Sequence, residues 1–496
     1  MNHASSSSAT TVAARPSACP GLLRIVAALD GGICRIKLPG GVLHADEASA
    51  IADASERHAA GVIELTNRAN LQLRGVRAGH EAALIEALVD AGLGPDAGLG
   101  PDAGLAQVCS TTTTSTTSPA FDVSVASAVS AADDVRNLML SPSAGRDPHA
   151  LFDTTALAAQ ILTLLQSEPR FAALSPKFAL LLDGGERLAM LEHPHDVWLA
   201  ATDHAEGVRF AFGLAGCPPV SPTPANHSSA VTSAAALGSV TLSQIPALVK
   251  ALLHTFLDLA EPDHTRMRHL LAAQSVDTVL QRAQTYLDFP LSRDPALTTW
   301  RRAPADASLR FGVQPQRKAG TCHVGGQPPL GRLNGATLRA LAVLAEDSGN
   351  ATLRVTPWQS VLLPDVAAEA ASSVLARLAA LGLACDPGDP MARLIACAGS
   401  SGCAKSHADT KADALRLAAH LPAEAQQVHL SGCLRSCAAA HCAPYTLLAA
   451  EPSRYDLYRR DDSPGFGQCI AHHLTIEQAA DALARLARST RSPFDA

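Results

Sequence analysis

The sequence has no run of about 18 consecutive apolar residues, the length a helix needs to span a bilayer. Its opening stretch, MNHASSSSATTVAARPSACPG, is rich in Ser, Thr and Ala but has no apolar segment of the kind a secretory signal carries. Residues 1–18 are therefore expected to be a disordered extension, and the chain soluble, cytoplasmic and without a membrane partner. Cysteine is scarce, 12 in 496 residues, too thin for a disulfide scaffold. In a reducing compartment the thiols read as free or metal-bound. Basic excess is also missing: 39 Lys and Arg stand against 46 Asp and Glu, a net charge of −7. That argues against nucleic acid as a partner and means that any anionic substrate must be met by local basic groups. No GxGxxG follows a strand, so no dinucleotide fold is expected, and nicotinamide electrons would have to arrive through a separate reductase.

What is present is ample core material, 47% hydrophobic, in a chain long enough for two to four domains. Three stretches read as spacers because their Gly, Pro, Ser and Thr cannot build a core: DAGLGPDAGLGPDAGL at 90–105, STTTTSTTSP at 110–119 and PPVSPTPANHSSAVTSAA at 218–235. Between them a pattern recurs. GGICRIKLPGGVL at 31–43 suggests a strand and a Gly-Gly turn, HADEASAIADASERHAA a helix, and GVIELTNRANLQLRGV at 61–76 a strand, a polar link and a strand, with a further helix at 80–92. Late in the chain, 329–349, 350–366 and 367–383 repeat turn and helix, strand-link-strand, and helix. Laid over each other, GVIELTNRANLQLRGV and ATLRVTPWQSVLLPDV share a Thr at the end of the first strand. This order of elements indicates an internal duplication with two pseudo-symmetric halves.

Four cysteines stand out. CAGSSGC sets Cys397 and Cys403 five residues apart, and CLRSC sets Cys433 and Cys437 three apart. The first spacing is wide for structural zinc, whereas a 4Fe-4S cluster reached by thiolates from several directions tolerates it. Gly399, Ser400, Ser401 and Gly402 leave room for backbone amides beside sulfur. KSHADTKADALRLAAHL at 405–421 reads as a helix beginning just after Cys403, with its N-terminus toward the cluster, and VHLSG at 428–432 as a strand delivering the second pair. Cys442 breaks the spacing and reads as a bystander. Cys19, Cys34, Cys109, Cys217, Cys322, Cys385 and Cys469 have no partner at a ligand spacing and read as core or surface thiols. His407, His429, His441, His472 and His473 read as structural or surface residues.

Basic residues recur at strand ends. TNRANLQLRG brings Arg68, Asn70, Gln72 and Arg74 around a sheet-edge link, DDVRN brings Arg136 and Asn137, SPKF brings Lys177, and Arg354, Thr356 and Gln359 form the set in the second half. Taken singly they are surface charges; together they suit a ligand with several carboxylates.

These segments resemble the sulfite and nitrite reductase superfamily. C-x5-C followed by C-x3-C is similar to its 4Fe-4S signature, and T-N-R-x-N-x-Q-x-R-G, D-x-x-R-N and P-K-F to its tetrapyrrole- and anion-binding segments. The resemblance implies an α+β, pseudo-twofold duplicated fold with two ferredoxin-like half-domains and two α/β cluster or tetrapyrrole domains. The expected divisions are 19–109 and 301–384 for the half-domains, 121–300 and 385–496 for the larger domains, and 110–120 for a linker. Within the superfamily, ACPGL, DGGICRIKLPGG and HLSGCLRSCA are most similar to the precorrin-3B synthase family. That likeness implies oxygen-dependent hydroxylation and γ-lactone formation on precorrin-3A in aerobic cobalamin synthesis, NADH as electron source, and a mononuclear non-haem iron beside the cluster. Position by position, Cys397, Cys403, Cys433 and Cys437 would hold the cluster. Arg68, Arg136 and Lys177 would be catalytic, and Asn70, Gln72, Arg74, Asn137, Arg354 and Gln359 would contact the tetrapyrrole. One departure stands out. Sulfite reductases commonly carry a second basic residue two positions after this lysine, and here Ala179 stands there, which weakens the alternative of a sirohaem-dependent sulfite or nitrite reductase.

Overall fold

A computed structural model describes residues 19–95, 130–221, 235–291, 295–422, 424–439, 443–461 and 465–489. The expected extension at 1–18, the linker at 110–120, most of the spacer at 218–235, and Cys109, His441 and Cys442 lie outside the described residues.

The first quarter runs β1 (Val26–Ala28), β2 (Gly31–Ile36), β3 (Val42–His44), α1 (Ala45–His58), β4 (Val62–Leu65), β5 (Leu71–Val76) and α2 (Glu81–Asp90). The third repeats it as β11 (Gly312–Pro315), β12 (Thr321–Gly326), β13 (Arg332–Asn334), α7 (Gly335–Ser348), β14 (Thr352–Val355), β15 (Val361–Ala367) and α8 (Ala371–Ala380). The two exchange a strand. β3 pairs antiparallel with β14 and β13 with β4, giving two five-stranded sheets of order β1-β2-β5-β4-β13 and β11-β12-β15-β14-β3. One apolar core runs through both, so neither quarter is complete alone.

The local reasons are visible in the sequence. α1 starts at a capping box in which the His44 amide donates to Glu47 Oε2 at 2.8 Å. It buries Ala45, Ala48, Ile51, Ala52 and Ser55, one helical face. Small residues on that face let α1 pack closely on α7, and an Ala48→Leu change there would cost about 1–3 kcal/mol through overpacking. The Gly-Gly turn before β3 requires glycine: Gly40 and Gly41 have φ of 64° and 69°, and a Cβ on Gly41 would run into the Val355 carbonyl.

The second and fourth quarters are a second pair. The second runs β6 (Leu138–Met139), α3 (Thr155–Ser167), β7 (Leu180–Asp183), β8 (His195–Thr202), β9 (Arg209–Gly216), β10 (Gly238–Val240), α4 (Ile245–Leu259), α5 (Met267–Ala273) and α6 (Val276–Gln284). The fourth runs β16 (Leu394–Ala396), α9 (Thr410–Ala418), β17 (Val428–Ser431), β18 (Tyr445–Glu451), β19 (Arg454–Arg459), β20 (Gln468–Leu474) and α10 (Ile476–Ser489). Both sheets keep chain order, with the first three strands parallel and the last two antiparallel. The duplication therefore extends over all four sheets of the described residues. One expectation is corrected: the helix anticipated just after Cys403 starts only at Thr410, because Asp409 caps it by accepting from the Ala412 amide.

Candidate functional site

Cys397 follows β16 and Cys433 follows β17, two adjacent parallel strands, so the sheet itself brings the two cysteine pairs to one edge. Gly399, with φ of 72°, turns the first loop so that the Cys403 amide donates to its carbonyl at 2.9 Å. The Cys397 sulfur lies 3.3 Å from Thr410 Oγ1 and accepts the Gly432 amide at 3.3 Å. Thr410 opens α9, so the positive end of that helix reaches Cys397 as expected, although from farther along the chain. Burial and the neighbouring Cys433, Cys397 and Cys403 raise the Cys437 thiol above its usual pKa, with Arg435 pulling the other way. The four sulfurs thus share one electrostatic neighbourhood. Among the described residues, the groups whose ligand atoms all lie within 4.8 Å of one another are elsewhere. The cysteines are spread wider than one tetrahedral ion requires and suit a polynuclear cluster.

One loop joins this site to a pocket. Residues 66–70 are held by the Thr66 hydroxyl, which accepts the Arg68 and Asn70 amides. Asn67 donates to the Cys437 carbonyl at 3.3 Å. On the other side of the loop, Arg68 and Asn70 line a solvent-connected space of about 310 Å³ with Arg136, Asn137, Ala179 and His195. Burial, with Arg266 and Arg35 beside it, pulls the Arg68 guanidinium down to about 10, and among the described residues it has no ion-pair partner within contact distance. Lys37, fully buried near Asp133 and Asp134, is drawn down to about 8 by burial. His195 is 2% exposed, and among the described residues neither ring nitrogen finds a hydrogen-bond partner. Burial, Arg68 and Arg266 push it down to about 3, so it stays neutral. No sequence signal singled out His195; it became visible only when β8 was seen to open on the pocket.

The other expected residues divide. Arg136 lines the pocket but is clamped to Asp133 at 2.9 Å. Asn137 spends its amide on the carbonyls of Asp134, Pro176 and Phe178, stapling the 175–178 loop to β6. Asn70 accepts the Leu38 amide and fixes the Gly-Gly turn. Lys177 is exposed on that loop and does not line the pocket. Gln72 is bonded at both ends, to Arg35 and to Glu64. Arg74 is engaged by Asp30 at 2.8 Å, by Glu64 at 3.6 Å and by the Gly402 carbonyl at 2.8 Å. Arg74 thus braces the 397–403 loop against the first sheet, Gln72 is held within that sheet, and neither lines the pocket. Arg354 and Gln359 do not line it either, Arg354 donating to the Gly40 carbonyl at 3.4 Å and Gln359, itself at φ of 61°, packing over Gly331. The superposed links explain this: Thr356 and Ser360 copy the Thr66–Asn70 turn bond for bond, and in that register Trp358 falls where Arg68 stands and Arg354 where Glu64 stands.

Comparison with known proteins bears on the same segments. The nitrite/sulfite reductase ferredoxin-like half domain matches residues 28–91 and again 314–381, the two copies in the strand-exchanged pair. The nitrite and sulphite reductase 4Fe-4S domain matches residues 131–291. A chloroplastic ferredoxin–nitrite reductase of Zea mays is 28% identical over 425 residues, covering 81% of this chain and 67% of its own length. A precorrin-3B synthase of Sinorhizobium is 26% identical over 491 residues, covering 98% of this chain and 91% of its own. Sulfite reductase [ferredoxin] 2 of Mycolicibacterium paratuberculosis is 26% identical over 394 residues, 74% of this chain and 68% of its own. The Mycobacterium tuberculosis NirA structure superposes with a TM-score of 0.69 over 94% of this chain and 82% of that one, at 21% identity, and so shares its fold.

Proposed function

The chain belongs to the nitrite and sulphite reductase superfamily of oxidoreductases with a 4Fe-4S domain, and on that premise we propose that it is a precorrin-3B synthase. It would hydroxylate precorrin-3A with molecular oxygen and close the ring A acetate to a γ-lactone in the cytoplasm. One oxygen atom goes to the tetrapyrrole and the other to water, with two electrons derived from NADH through a separate reductase. Two features favour this over a resident sirohaem. The likeness to the Sinorhizobium synthase runs nearly end to end in both chains, and Ala179 stands in the pocket lining where sulfite reductases commonly carry a basic residue, so that position supplies no cation for reducing sulfite or nitrite.

The observation that carries the reading is the 66–70 loop. It reaches the carbonyl of Cys437 through Asn67 and lines the pocket through Arg68, so a macrocycle bound there lies one loop from the thiolates. Cys397, Cys403, Cys433 and Cys437 would hold the cluster, which when bound supplies electrons one at a time. Arg68 offers an uncommitted fork to a substrate carboxylate and Arg136 a second, clamped one. Thr66 and Asn70 hold the loop that aims Arg68, and Asn137 holds the loop bearing Lys177 at the rim. His195, neutral and unpartnered, can give or take a hydrogen bond at the macrocycle edge. The mononuclear iron of the resemblance would find the imidazoles of His193 and His195 there, but the nearby carboxylates of Asp133 and Asp196 are already paired with Arg136 and Arg266.

The deciding assay incubates the anaerobically purified protein with precorrin-3A, a reductant and labelled oxygen. The reading requires one labelled atom in a lactone product. Reduction of sulfite or nitrite, with precorrin-3A untouched, would replace it with the sirohaem reductase reading, which the reductase relatives and the cationic pocket favour.

A further inference from the structure

Cys469 and His472 lie three residues apart on β20, a spacing that sends side chains to opposite faces of a regular strand. β20 is not regular there. Tyr458 of β19 faces Cys469, Leu457 faces Ala471, and Tyr455 faces Leu474. Ile470 is therefore an extra residue, and Asp456 stands opposite both His472 and His473. The first shift restores His472 to the face of Cys469 and Asp456. The second puts His473 at φ of 51°, its amide donating to Asp456 Oδ1 at 2.9 Å. Bulges of this kind re-aim a side chain at a local cost, here a non-glycine residue in the left-handed region.

The three side chains meet. His472 Nδ1 is 3.4 Å from Asp456 Oδ1 and 3.6 Å from the Cys469 sulfur, and the three ligand atoms all lie within 4.8 Å of one another. A tetrahedral zinc ion with its usual bond lengths, about 2.3 Å to sulfur and about 2.0–2.2 Å to nitrogen or oxygen, needs edges of about 3.4 Å between nitrogen and oxygen and about 3.6 Å between nitrogen and sulfur. Asp456 and Cys469 are half-buried and His472 is exposed, so the protein supplies three corners and water can take the fourth. Thiolate, imidazole and carboxylate together suit zinc or another borderline divalent ion better than calcium or magnesium. Cys469, which has no partner at a ligand spacing along the chain, acquires two from the sheet.

We propose that Asp456, Cys469 and His472 form a mononuclear site for a divalent ion of the zinc class, separate from the cluster cysteines. Its occupation clips the edge strand β20, which leads directly into α10, onto β19.

The test uses the full-length protein purified anaerobically with its iron, stripped of loosely held metal and titrated with Co2+. One equivalent should produce a thiolate-to-cobalt charge-transfer band and tetrahedral d–d bands in the difference spectrum. Cys469→Ser and His472→Ala should each weaken uptake at least about tenfold while leaving the iron content unchanged. In the unaltered chain, Zn2+ should protect Cys469 from alkylation, read on its peptide by mass spectrometry, which keeps the test valid if a variant misfolds. Equal alkylation of Cys469 with and without Zn2+, or cobalt uptake that follows loss of iron from the cluster, would overturn the proposal.

Discussion

The loops after β6 and β7 and the loops after β16 and β17 occupy equivalent places in two sheets of the same strand order, yet their chemistry differs. In the first pair the charges are closed on themselves. Asp183, just inside β7, pairs with Arg302 at 2.9 Å and Asp147 with Arg187 at 3.2 Å, while buried Glu186 is raised to about 8 by burial and by Asp183. In the second pair four thiols stand beside Thr410 and the Gly432 amide, with the cations Arg435, Arg74 and Lys411 close enough to act on them. One copy of the duplicated sheet forms a wall of the pocket and the other carries the four thiols. The strand-exchanged pair touches both, lining the pocket through Arg68 and reaching the thiol side through Asn67 toward Cys437 and Arg74 toward Gly402. A duplicated frame tolerates this divergence because loops at strand ends change without disturbing the sheets.

The comparison breaks most completely at the cluster. Cys437→Ala should lose nearly all cluster iron and its broad visible absorption, measured by iron assay on anaerobic protein, whereas alanine at a thiol of the other half, Cys217, should leave iron in place. Next is the brace. Arg74→Ala takes the ion-pair partner from Asp30 and frees the Gly402 carbonyl, while Glu64 keeps Arg332 and Lys411, and should cost about 1–3 kcal/mol in denaturant unfolding. Arg68→Ala should do the opposite, lowering turnover about 10²–10³-fold with iron and stability kept, because its guanidinium is committed to no protein acceptor.

A smaller effect reads the pocket's polarity. His195 is held at about 3 in the folded chain against about 6.5 when unfolded. The unfolded chain binds the extra proton between those values, so this group's contribution to stability is complete above about pH 6.5 and is lost as pH falls toward 3, at up to about 1.4 kcal/mol per pH unit. His195→Asn should flatten the acid limb of a stability-against-pH curve in that window and leave it unchanged above pH 7. The smallest effect is expected at the rim: Lys177→Ala, at an exposed position, should keep its iron and lower turnover by less than Arg68→Ala does.

Much of this frame was legible in the sequence. The spacing of Cys397, Cys403, Cys433 and Cys437 is local and survives folding unchanged, and the turn signal of LPGG and the strand-link-strand of TNRANLQLRG are local too. The strand exchange was not legible, because β3 and β13 are three-residue strands whose partners lie in the other copy. Nor were the roles of Gln72 and Arg74: both sit on β5 as expected, but whether a buried cation faces a ligand or a carboxylate depends on Asp30, Glu64 and Gly402, the last far away in the chain. His195 was missed for a related reason, since an imidazole at the start of a buried strand looks like core until the facing Arg68 is in place. The nearness of Cys469 to His472 and Asp456 was not legible either, because bulges, which shift its register relative to His472, leave no mark in a residue count.

The absorption spectrum of the chain purified without oxygen tests the central claim most directly, that the cluster lies beneath a pocket whose tetrapyrrole is substrate and not resident cofactor. Broad 4Fe-4S absorption in the blue, without tetrapyrrole bands until precorrin-3A is added, is the expected result. Soret and near-red sirohaem bands that co-purify in proportion to the iron would contradict it.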